Sequence, residues 1–170
     1  MFWLRKGTIV NANDILKYGH LTVLQAVDGL PPADWETPGV CGVWSVKDIV
    51  AHLASYEHML VDVLASLLTD DPTPTLDAFK SGGQAFNDAE VGRRQGWPVA
   101  RVLGDYSDTC AQTMALLARV PLARRREAGA LAWYGADYDL EDFLVYTFYG
   151  HKREHCAQIA VFRDGLDAEA

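Results

Sequence analysis

The sequence predicts an all-α protein, a bundle of four or five helices, on three observations. Apolar residues recur at steps of three and four through several long stretches, proline and glycine mark the breaks, and no alternating polar and apolar run of useful length offers a strand. With 170 residues the chain fits one domain, expected over 1–170, large enough to bury a core without covalent staples. No internal repeat or low-complexity tract interrupts it.

The first helix is expected from about Asn13 to Asp28, with Ile15, Leu16, Leu24 and Val27 among its apolar positions and Asn11 or Asn13 as its cap. Gly29 and the Pro31-Pro32 pair end it. Ala33 to Trp44 has a loop composition that includes Trp35 and Trp44, and loops of this length in a compact domain are often functional. Ser45, followed three residues later by Asp48, is a variant of the capping box and opens a second helix that runs to about Leu68. A third stretch, Leu76 to Arg94, is weakened by Gly82-Gly83 and Gly92. Pro98 suits the first turn of a fourth helix, carried by Val102, Leu103, Tyr106, Cys110, Met114 and Leu117 to about Val120. Pro121 to Tyr138 is a long connection with room for a short extra helix. Asp139 and Asp142 then repeat the cap signal before a last helix that ends near Gly165.

Composition removes several function classes. No apolar run approaches the ~20 residues that span a bilayer, and the N-terminus lacks the pattern of a secretory signal, so no membrane association and a cytoplasmic location are expected. Cys41, Cys110 and Cys156 are too few and too far apart for a disulfide framework or a cysteine zinc site. A formal net charge of -8 repels a polyanion, so no nucleic acid is expected, and the short Arg124-Arg125-Arg126 cluster reads as solvated surface.

Three of the five histidines carry the chemistry. His151 and His155 are four apart, so on a helix both imidazoles leave one face about a turn from each other. They share that face with Leu144, Phe148 and Phe162. His52 lies on the second helix in a stripe with Asp48, Tyr56, Met59 and Val63. Imidazoles held among apolar neighbours stay neutral and can give a lone pair to a metal ion, and three nitrogens leave one coordination position open. The competing reading is that each is a core histidine hydrogen-bonded to a neighbour. His20 and His58 have no such company and read as surface or packing residues. His151 to His155 also matches the His-x-x-Glu-His string of metalloproteases in which the glutamate is the base. Only fifteen residues follow His155, however, short of the further carboxylate ligand those enzymes draw from downstream. Asp48, Tyr56 and Glu154 are the candidate catalytic groups, as orienting partners of a ligand or in proton transfer, and Trp35 and Trp44 are candidates for the mouth of the site.

The block from Trp44 to Leu53, with His151, His155, Gln158 and Ile159 near the C-terminus, resembles the DinB-like superfamily of DNA-damage-inducible and YfiT-type metalloenzymes. Asp34-Trp35 ahead of Gly42-Val43-Trp44 is similar to its maleylpyruvate isomerase branch, and Phe86-Asn87-Asp88 to its ClbS/DfsB-type branch. The resemblance implies an up-down-down-up four-helix bundle, a divalent metal on His52, His151 and His155, and a homodimer. It also implies activities on small molecules, either transfers that use a low-molecular-weight thiol such as mycothiol or bacillithiol, or hydrolysis. The isomerase branch tends to carry a carboxylate where this chain has His151.

The expected function is therefore a metal-dependent enzyme acting on a small electrophilic substrate, by thiol transfer or by metal-hydroxide hydrolysis, with zinc or nickel as the ion and a low-molecular-weight thiol as an optional cosubstrate. A cation on three neutral imidazoles keeps its full charge, enough to bring the pKa of a bound water toward ~7 or to hold a thiol as thiolate. The alternatives are a dimeric bundle that sequesters a metal or reactive ligand without turnover, and a dimeric scaffold with vestigial histidines.

Overall fold

The computed structural model describes residues 11–169. The expected domain span of 1–170 and the reading of the N-terminus as free of a signal both involve residues 1–10, which lie outside the described residues. Helix makes up 72% of the described residues, and among them no strand forms beyond an isolated bridge between Cys41 and Trp44, so the all-α expectation holds.

The first helix, α1 (Ala12–Val27), is capped by Asn11, whose side chain accepts the Asn13 backbone N–H at 2.9 Å. Ala12, Leu16, Gly19, Val23 and Val27 form its buried stripe. A 3₁₀ turn (Pro32–Asp34) and a loop lead to α2 (Val46–Ser66), where Ser45 and Asp48 make the reciprocal capping box that the sequence predicts. This helix is buried on nearly every side and touches most of the others, which makes it the centre of the bundle.

The third predicted helix is in fact two, α3 (Pro74–Gly82) and α4 (Gln84–Arg94). They separate at Gly83, whose φ of 50° is a conformation that a Cβ would strain. Both lie against α2. Next comes α5 (Val99–Arg119), with Pro98 as its cap residue, one position ahead of the predicted first turn, and then the short α6 (Leu122–Arg125). The arginine cluster is tied into the structure here. Arg125 donates to the carbonyls of Val120 and Leu117 at the end of α5, Arg124 pairs with Glu127, and Arg126 pairs with Glu141.

The last helix is interrupted. A second capping box, Asp139 with Asp142, opens α7 (Leu140–Leu144); a π-helical segment (Val145–Gly150) follows, and α8 (His151–Glu169) completes it. The buried faces explain the wide turn. Leu140, Phe143 and Leu144 are buried before it, and Lys152, His155, Cys156 and Ile159 after it. At about 100° per residue throughout, those two faces would diverge by roughly 110°. A π turn takes more residues per turn, so it absorbs about one residue and turns both faces to the core.

Two apolar clusters fill the bundle. One gathers Val27, Trp35, Val50, Leu53, Tyr106 and Ile159; the other gathers Leu16, Leu60, Leu64, Leu117, Phe143 and Phe148. On α2 the first ends at Ala54 and the second begins at Met59, and on the last helix the border falls between Phe148 and Cys156. Glu57, His151, Lys152 and His155 lie in that gap, and His52 lies at its edge. A polar layer thus crosses the bundle between two oily ones.

Candidate metal centre

The capping box fixes where α2 starts, and two turns of helix carry His52 inward until it is 3% exposed. The π segment fixes the phase of α8, which begins with a half-buried His151 and carries His155, 7% exposed, one turn later. The result is that the Nε2 atoms converge: that of His151 is 2.9 Å from that of His52 and 3.0 Å from that of His155. Gln158 settles one tautomer. Its Oε1 lies 2.8 Å from His155 Nδ1 and can only accept, so Nδ1 carries the hydrogen and Nε2 of His155 is a bare lone pair.

Such a cluster is poorly satisfied by its own hydrogens. His151 has at most one Nε2 hydrogen in the neutral form and faces two nitrogens, so a single proton cannot serve all three, whereas one cation among the lone pairs can. The donor set therefore fits a metal ion. Burial, then the neighbouring His151 and His155, pushes the pKa of His52 down to about 2. Burial, then His155 and Lys152, pushes that of His151 down to about 3. Burial also lowers that of His155, against smaller opposing effects of Gln158 and Glu154. All three are neutral, the state in which imidazole ligates.

A family model described as the DinB superfamily matches residues 19–159, most of the chain. The chain belongs to the DinB superfamily. Neither a curated protein nor a solved structure matches it. DinB-like proteins bind metals, and this DinB-superfamily chain brings together the three residues suited to that task, His52, His151 and His155.

The other candidates of this DinB-superfamily chain are placed less uniformly. Tyr56 packs on the centre, its ring 4.8 Å from that of His52 and 4.4 Å from that of His151, and burial raises its pKa, so its hydroxyl is a proton donor rather than a base. Trp44 lies against His52 at 4.9 Å. Trp35 does not join it. It is buried in the core, where its carbonyl accepts the Lys47 N–H at 2.9 Å. Asp48 spends one carboxylate oxygen on the backbone N–H and hydroxyl of Ser45, at 3.0 and 2.8 Å. Those bonds anchor the turn that carries Trp44. Glu154 is exposed on α8 and acts on His155 through its charge. A cleft of about 360 Å³ lined by Val43, Trp44, Asp48, Asp88, Val91, Gly92 and Gln95 adjoins the Trp44 side.

Sequence reading did not single out the ion pair between Glu57 and Lys152, 1% and 2% exposed, with Nζ and Oε1 2.5 Å apart. The signal was there. Glu57 falls between Leu53 and Leu60 on an inward stripe of α2, and Lys152 lies one turn before Cys156 on the last helix, in line with Ile159.

Proposed function

We propose that the chain is a metal-dependent enzyme acting on a small electrophilic substrate, by transfer of a low-molecular-weight thiol or by hydrolysis. The observation that carries this reading is the convergence of three neutral Nε2 atoms, with Trp44 packed on His52 and lining the neighbouring cleft. A divalent cation held there, zinc or nickel by its nitrogen donors, supplies Lewis acidity that lowers the pKa of a water or a thiol. The protein's own part is positional. Gln158 holds the His155 ring, the two apolar clusters keep the imidazoles neutral, and Trp44 closes one side. Tyr56, protonated, can donate to a group that gains negative charge beside His52 and His151.

The test is to incubate zinc- and nickel-loaded protein with a panel of thiols and small electrophiles. Turnover that disappears in His151→Ala is the expected result. Stoichiometric metal with no turnover by the wild type would leave sequestration as the function, and equal turnover by His151→Ala would remove the centre from the chemistry.

A further inference from the structure

A second cavity lies away from the metal centre, in the groove between α1 and α5. It has a volume of about 210 Å³, and none of the three histidines lines it. Leu16 and Leu21 of α1 and Ala111 and Met114 of α5 make its walls, and Glu57 of α2 reaches it from below. An apolar cavity of roughly 150 Å³ is enough to hold benzene, so a single ring fits here with a polar substituent to spare.

The floor defines that substituent. Glu57 is 1% exposed; its Oε2 accepts the Thr113 hydroxyl at 3.1 Å and its Oε1 meets the Lys152 ammonium at 2.5 Å. A carboxylate offers about four acceptor positions, so Glu57, which lines the groove, has acceptor capacity left. Lys152 balances its charge, so the floor favours neither a cation nor an anion; a carboxylate placed against it would meet another head-on, and Lys17, which also lines the groove, is exposed to solvent. Beside the floor, Nδ1 of His20 is buried without a hydrogen-bond partner among the described residues.

We propose that this groove is a second binding site, taking a small neutral monocyclic molecule whose hydroxyl donates a hydrogen bond to Glu57; phenol is the simplest such ligand. The experiment is titration of the full chain with phenol, toluene and benzoate, followed by amide chemical shifts. Phenol should bind one to one, with shifts centred on Leu16, Ala111 and Met114. Toluene, lacking the donor, should bind about ten-fold more weakly, and benzoate more weakly still. Glu57→Gln strands a buried lysine and endangers the fold, so the deciding variant is Ala111→Phe, which fills the groove from its exposed edge and should abolish binding. The proposal is overturned by absence of saturable phenol binding, by phenol shifts centred on the histidines, by equal affinity for phenol and toluene, or by unchanged binding in Ala111→Phe.

Discussion

Gln158 touches only one of the three converging rings, yet it decides which nitrogen of His155 is bare. Replacing it by leucine keeps the helix and removes the acceptor, and loss of such an orienting partner lowers metal affinity by about 10 to 100-fold. Competition with a chelator should show that drop for Gln158→Leu with the melting temperature of the metal-free protein little changed. Protonation behaves as the depressed pKa values dictate. The folded chain holds His52 and His151 neutral to about pH 2 and 3, while in the unfolded chain they take up protons near 6.5. Below 6.5 the unfolded state therefore binds more protons. Stability is full above that pH and is lost as pH falls toward 3 and 2. Thermal melts of metal-free protein should show a falling midpoint between about pH 6.5 and 4, with a shallower slope in His52→Leu. The three converging histidines could be read from the sequence because helical spacing and an apolar stripe together place an imidazole. The capping role of Asp48 could be read as well, from a carboxylate three residues after a serine, and the hydrogen bonds to Ser45 bear it out.

At the scale of the element, the π segment explains why a plain α-helical reading of the last helix still put His151 and His155 on one face. Within α8 the spacing is regular, and the irregularity lies upstream, where it adjusts α7 to the same core. A single-residue deletion of the exposed Tyr146 should relax the wide turn to ordinary α-helix and leave both faces in place, because one α-helical residue is worth about 100°. Chelator competition should then give an affinity within about threefold of the wild type, whereas removal of Tyr146 and Thr147 together turns the histidine pair about 100° from His52 and should abolish tight binding. The long helices could be read from caps and periodicity. The break at Gly83 was visible only as a weak point, since two adjacent glycines permit a reversal without requiring one, and the contacts of α3 and α4 with α2 decide it.

Across the whole molecule, the polar layer ties α2 to α8 twice, through the histidines and through Glu57 and Lys152. Glu57→Gln should cost about 3 to 5 kcal/mol in chemical denaturation, because it leaves a buried ammonium uncompensated. The joint replacement of Glu57 and Lys152 by methionine should recover most of that loss, since the penalty belongs to the stranded charge. Which helices pack side by side was beyond the sequence, because an inward stripe says that a face is covered and not by what. One feature of the centre reaches further than its chemistry: His52 and His151 are 99 residues apart. An ion shared between them would be a tether that closes a circuit of more than half the chain, held only in the folded state, so its binding energy would add directly to stability. A cation bound there would be a structural component whatever its chemistry. Its supply should raise the melting temperature in proportion to the logarithm of its free concentration, and a chelator or His151→Ala should cancel the gain.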